Sequence, residues 1–132
     1  MRMMSFSLTI DAVVKRQKTV TRRSVSTWGR LQPGDRLRAV DKAMGLRKGE
    51  HPRELAIIEV VSVRVERLDA ITDDDVSREG LDGGLTPAAW FVGMYTQHAG
   101  CKPSDLVRRI EFRYVDPSPG ANLEARKTGA EA

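Results

Sequence analysis

From residue 54 onward the order of apolar and polar positions is that of a strand. Leu55, Ala56, Ile57 and Ile58 are apolar in succession, and Val61, Val63 and Val65 then take every second place. A strand over residues 54–68, buried on both faces at its start and on one face further along, is predicted. Residues 5–9 alternate Phe6 and Leu8 with small polar neighbours, as a short half-buried strand would. Ile10, Val13 and Val14 are spaced for an amphipathic helix over residues 10–17. Residues 19–23 favour β structure, and the polar stretch 24–30, with Trp28 and Gly29, reads as a loop. In Gln32-Pro33-Gly34-Asp35 the proline presets φ and the glycine supplies a positive one, so a turn precedes the strand expected over residues 36–40. Residues 41–53 read as a long loop. Thr72 followed by Asp73, Asp74 and Asp75 marks a helix start, with the threonine as N-cap and carboxylates in the first turn, ending near Gly80. Thr86-Pro87 marks another start, and Trp90, Phe91, Met94, Tyr95 and His98 form a helical stripe before Gly100, the first four of them expected to be core. A last strand is expected over residues 106–115.

Strand, helix, several strands, two helices and a final strand define an α+β chain with a small curved sheet or open β-barrel and flanking helices. The length of 132 residues and 40% apolar content fit a single domain over residues 1–115. Two prolines and clusters of small residues beyond it lead us to expect a disordered tail over residues 116–132.

The net charge of +4 changes this picture modestly, since the cationic excess is concentrated before residue 54 and one basic face would attract anions. Cys101 is the only cysteine, which excludes an internal disulfide and a multi-cysteine zinc site, and a packed thiol is expected. His51 and His98 have no second ligand at metal spacing. No phosphate-binding glycine loop, nucleotide fingerprint or serine elbow is present. No metal and no cofactor are therefore expected. The amino terminus lacks a secretory pattern and no apolar run approaches the roughly 18 residues of a membrane span, so the expectation is a cytoplasmic protein with no membrane partner. Nothing in the sequence sets an oligomeric state, and a monomer is compatible with it.

Candidate chemistry concentrates in Lys18-Thr19-Val20-Thr21-Arg22-Arg23. Cations beside hydroxyls suit an anionic or nucleotide-like ligand, and a lysine near a threonine can activate it. The same residues also suit an exposed basic strand. Taken with the Pro33-Gly34-Asp35 turn, the Ile57 to Val65 strand and the closing Ile110-Glu111-Phe112, the cluster resembles the ASCH domain family, itself similar to the PUA domains of RNA-modifying enzymes. The resemblance spans roughly residues 5 to 115. It implies a PUA-like barrel and a cleft for RNA or a nucleoside. One branch of small bacterial ASCH proteins hydrolyses N4-acetylcytidine, and its catalytic lysine, threonine and glutamate match Lys18, Thr21 and Glu79. The longer loop at 42–53 and the Trp90-Phe91 helix face depart from that branch.

These matches make the chain a candidate amidohydrolase on an N4-acylated cytidine. Arg22 and Arg23 would lower the lysine pKa by repulsion and Glu79 would raise it. Which of Lys18 and Glu79 acts as the base stays open in the sequence. In a regular strand Lys18 and Thr21 point to opposite faces, so their cooperation requires a non-β backbone near residues 17–19. Thr19, Arg22, Arg23, Trp28, Arg36 and Arg38 are the candidates for holding substrate or nucleic acid, Trp28 either by stacking on a base or as a cap on the sheet. Arg47, Lys48 and Arg53 are further candidates for a phosphate track, with a solvated surface as the plain alternative. The Asp73 to Asp75 run reads as helix capping. Alternative functions are a non-catalytic RNA-binding module and a protein-interaction domain using the Trp90 helix.

Overall fold

The computed structural model describes residues 1–116; the expected tail over 116–132 lies, beyond Asp116, outside the described residues. Strand β1 (Met3–Ser5) is followed by helix α1 (Ile10–Val14), β2 (Val20–Ser24), β3 (Arg36–Val40) and β4 (Glu54–Arg67). A short 3-10 turn (Leu68–Ala70) leads to α2 (Asp73–Arg78), α3 (Pro87–Ala99) and β5 (Leu106–Tyr114). The strands form one five-stranded sheet in the order β1-β3-β4-β5-β2, parallel only where β1 meets β3. Of the two expected forms, a curved sheet and an open barrel, the chain adopts an open mixed sheet that does not close. No described helix is long and apolar enough to cross a membrane.

Most elements fall where the residue pattern put them, and the exceptions have local causes. The first strand lies earlier than residues 5–9, because Met3, Met4 and Ser5 pair with Arg38, Ala39 and Val40 and the chain turns after Phe6. Helix α1 stops at Val14 rather than Gln17. Arg16 takes a left-handed φ of 60°, and the amides of Gln17 and Lys18 both return to the Ala12 carbonyl, at 2.8 and 3.2 Å. Thr72 caps α2 by accepting from the Asp75 amide at 3.1 Å. Gly100, at φ 67°, ends α3 by a left-handed turn.

Strand alternation divides the interior into two cores. Ile110 and Phe112 of β5 face a cluster with Met4, Phe6, Val13, Leu37, Ile58 and Val60. Val107, on the opposite face, packs with Leu68, Ile71, Val76 and Phe91. Arg109 shares that second face, which turns its guanidinium toward α2. In β4 a register shift between Val60 and Ser62 leaves Val61 43% exposed. The shift reverses which face later residues occupy, and it brings Glu66 to the side of Arg22 and Arg109, at 3.6 and 3.9 Å.

Candidate functional site

The tight exit from α1 sets the position of Lys18. Its carbonyl accepts a hydrogen bond from the Tyr114 hydroxyl, and the next amide, Thr19 N–H, donates to the Arg78 carbonyl at 2.8 Å. Residues 18 and 19 are thereby tied to the end of α2, where Glu79 is the C-cap residue. Gly80 then takes φ +83°, and a Cβ there would lie 2.6 Å from the Ala12 Cβ and 3.2 Å from the Lys18 Cβ. Only glycine permits this approach. It brings two segments distant in sequence into contact.

Lys18 is 3% exposed and Glu79 also 3%, and they meet directly. Lys18 Nζ donates to Glu79 Oε1 at 2.9 Å and to the Glu79 carbonyl at 2.7 Å. Glu79 Oε2 accepts from Arg22 Nη1 at 3.0 Å, so both carboxylate oxygens are engaged. Arg22 also donates to Asp75 Oδ2 at 2.7 Å. Arg109 closes on Asp75 with two bonds, 2.7 and 3.0 Å. This fork holds the Asp75 carboxyl well below the usual carboxylate range, chiefly through Arg109, with Arg22 adding to it against the opposing effect of burial. Burial lowers the Lys18 pKa below its ordinary value; the Glu79 charge and hydrogen bond oppose that, while Arg23 and Arg22 reinforce it.

Lys18 lies before β2 begins at Val20, so the non-β backbone that its cooperation with Thr21 requires is present. Strand β2 is the edge of the sheet, and side chains from both of its faces reach one cavity. Thr21 and Arg23 share a face, with Arg23 Nε donating to Thr21 Oγ1 at 3.2 Å. Arg22 occupies the other face, its guanidinium carbon 6.0 Å from the centre of the Phe91 ring. The cavity has a volume of about 600 Å³ and is lined by Lys18, Thr21, Arg22, Arg23 and Glu79 on its charged side. Trp90, Phe91, Met94 and Tyr95 of α3 form the apolar side, with Phe6 and Leu8 joining from the segment after β1. Such a volume accepts a small organic ligand.

Lys18, Thr21, Glu79, Arg22 and Arg23 are thus brought together, and the remaining sequence candidates are not. Thr19 is engaged through its backbone, its carbonyl accepting from the Phe112 amide at 2.9 Å. Trp28, in a left-handed conformation with φ 60°, packs against the first core, and the Arg2 guanidinium carbon lies 4.3 Å from its ring centre. That is the capping arrangement, away from the cavity. Arg36 and Arg38 bond across the sheet to Glu59 at 3.1 Å and Glu54 at 2.8 Å, also outside it.

One expectation from the residue pattern needs correcting and one is extended. The stripe on α3 is not all core: Phe91 is buried, whereas Trp90 is 41% exposed and with Met94 and Tyr95 forms the cavity wall. A stripe of that spacing only says which side chains share a face. The aspartate run lies in the first turn of α2 behind the Thr72 cap, as expected, and its side chains also bond elsewhere. Asp73 accepts from the Ala88 amide at 2.9 Å, Asp74 pairs with Arg78 one turn on, and Asp75 anchors Arg22 and Arg109. Asp75 and Arg109 were missed as parts of the site. The one available signal was Arg109 interrupting the apolar positions of β5.

An open mixed sheet with helices flanking a cavity at its edge is an ASCH-like fold. No protein-family model matches the sequence, and no curated protein matches it. Among solved structures, the ASCH domain from Lactobacillus crispatus JV V101 superposes with a TM-score of 0.58 at 19% identity, over 86% of this chain and 79% of that one. A DUF984 protein from Enterococcus faecalis V583 gives 0.56 at 19% identity, over 86% and 71%. At that identity the likeness is one of fold.

Proposed function

We propose that the cavity receives a nucleobase, as a nucleoside or within RNA, and that Lys18, Thr21 and Glu79 hydrolyse an acyl group from its exocyclic nitrogen, N4-acetylcytidine being the form to test. The observation that carries this reading is the direct Lys18–Glu79 pair, 2.9 Å and buried, on the wall of a cavity that Thr21 also lines. An aromatic wall facing a polar one suits a flat heterocycle with a polar edge.

The pairing also bears on which group is the base. Both Glu79 oxygens already accept from cations, whereas Lys18 Nζ gives two of its three donors to Glu79 and keeps one direction open. Burial favours the neutral amine. In the proposed reaction Lys18 as amine takes the Thr21 hydroxyl proton while Oγ1 attacks the acyl carbon. The tetrahedral intermediate collapses, the carbon–nitrogen bond breaks, and the proton passes from Lys18 to the leaving nitrogen. Water then hydrolyses the threonine ester, releasing the carboxylic acid and restoring the hydroxyl. Glu79 orients Lys18 throughout.

The test is incubation of the protein with N4-acetylcytidine, following release of cytidine, beside Lys18→Ala, Thr21→Ala and Glu79→Ala. Turnover that falls at least about a hundredfold in each variant is the expected result. No turnover by the intact protein removes the hydrolytic reading. One observation favours the same cavity without chemistry, namely that Thr21 Oγ1 bonds Arg23 and not Lys18. Cytidine binding with no hydrolysis is what that alternative predicts.

A further inference from the structure

The cations of the cavity wall are matched to carboxylates, among the described residues, with one exception. Lys18 pairs with Glu79, Arg22 with Glu79 and Asp75, and Arg109 behind it with Asp75. Arg23 stands on the same wall and pairs with no carboxylate among the described residues. Its Nε donates to Thr21 Oγ1 at 3.2 Å, its Nη2 to the Ser5 carbonyl at 2.6 Å, and its guanidinium carbon lies 4.9 Å from the Phe6 ring centre. These contacts fix the plane of the guanidinium and leave Nη1 without a hydrogen bond among the described residues. That nitrogen is not sealed off from the cavity.

Arg23 is half-buried, and a guanidinium partly withdrawn from water with no carboxylate partner among the described residues is stabilised by an anion that a ligand supplies. Burial pulls the Arg23 pKa down, against the field of Glu79, which is consistent with a charge awaiting compensation. Chemistry around it also favours an anion. Ser7, Thr9 and Ser24 are among the residues that line the same cavity, while the one acidic residue lining it, Glu79, is already bonded to Lys18 and Arg22. A fixed guanidinium with hydroxyls close by is a phosphate-binding arrangement.

We infer that Arg23 is an anion subsite of the cavity and that the natural ligand is a phosphorylated nucleoside, its phosphate accepting from Arg23 Nη1 while the base lies against α3. The phosphate belongs either to a free nucleotide or to an RNA strand. The inference deepens the nucleobase reading above and rests on it for the base; the phosphate contact is separately testable.

The experiment is calorimetric titration of the whole chain at low salt with cytidine, with cytidine 5′- and 3′-monophosphate, with a short cytidine-containing oligoribonucleotide, and with inorganic phosphate alone. None of these ligands carries an acyl group, so turnover plays no part. At least one monophosphate should bind about tenfold or more tightly than cytidine, with the ratio shrinking as salt is added. Arg23→Gln should abolish that ratio. Arg23→Lys, which keeps the charge and loses the fork, should retain part of it and serves if the glutamine variant does not fold. An oligonucleotide that binds more tightly than either monophosphate assigns the phosphate to RNA, and one that does not assigns it to a free nucleotide. Equal affinity for cytidine and both monophosphates in the unmodified protein, or a ratio that survives Arg23→Gln, overturns the subsite and leaves the base reading standing. Binding of inorganic phosphate that Arg23→Gln removes, with no binding of cytidine, keeps the subsite and overturns the base reading. Failure of every ligand to bind overturns both.

Discussion

Lys18 is a lysine whose environment favours the amine, and its consequences are chemical before they are structural. If it takes the Thr21 proton as the free base, the rate of acyl hydrolysis should climb with pH along a limb whose apparent pKa lies below that of an ordinary lysine. A pH–rate profile with no ascending limb below the ordinary lysine pKa of about 10.4 would exclude Lys18 as the base. Glu79→Gln removes the charge that opposes this depression, so the ascending limb should move to lower pH even as turnover falls. Asp75 acts at one remove, holding the Arg22 fork that in turn holds Glu79. Its folded pKa is depressed, so the stability it supplies is fully present above the unfolded carboxyl value near ~3.9 and drains away as the pH falls toward the folded one. Asp75→Asn leaves Arg22 and Arg109 sharing an uncharged partner and should cost about 3 kcal/mol in denaturant unfolding at neutral pH. The deficit should narrow as the pH is lowered below about 4. A cost that does not change with pH would show that the carboxylate charge is not what matters there.

At the scale of elements, two junctions decide whether the site exists. The α1 exit and the α2 end meet through Gly80, where a side chain faces both a left-handed backbone and a Cβ contact of 2.6 Å with Ala12. Gly80→Ala should destabilise the fold by more than the roughly 1 kcal/mol of the backbone effect alone, and should separate Lys18 from Glu79. A variant of unchanged melting temperature and unchanged activity would contradict that account. Helix α3 behaves differently, because Trp90 is 41% exposed and its face toward the cavity contributes little to the core. Trp90→Ala should therefore weaken cytidine binding by about 1–3 kcal/mol with only a small change in melting temperature. The stripe itself was readable from the sequence. Its division into a buried Phe91, half-buried Met94 and Tyr95 and an exposed Trp90 was not, since helical spacing gives a shared face and not what that face meets.

Across the whole molecule the charge distribution is less one-sided than the sequence implies. Arg36 and Arg113 share Glu59, Arg38 meets Glu54, Arg67 meets Asp69 and Arg64 meets Glu66, so the surface arginines of the sheet are largely countered locally. An extended phosphate track along β3 is thereby disfavoured. Binding of a single-stranded oligoribonucleotide should show a shallow salt dependence, with a logarithmic slope near −0.7 for one phosphate contact. A slope several times steeper would point to a track elsewhere on the surface.

What the sequence determined by itself is the set of elements and much of the chemistry. The long strand, the Pro33-Gly34 turn, the Thr72 cap and the Thr86-Pro87 start are local, since each depends on φ preferences, capping bonds or alternation within a few residues. Lys18, Thr21 and Glu79 could be named through resemblance, by residue type and order. Tertiary structure decided what these groups face. It stopped α1 early to turn Lys18 inward, placed β2 at the sheet edge, and used a register shift in β4 to bring Glu66 beside the arginines. It also distributed the charges, matching Arg22 and Arg109 to Asp75, countering Arg36 and Arg38 at the surface, and leaving Arg23 in the cavity wall with no carboxylate partner among the described residues. The charge pairings join segments from 16 residues apart, Arg38 with Glu54, to 61 apart, Lys18 with Glu79, and no local pattern encodes the partner a buried charge will find.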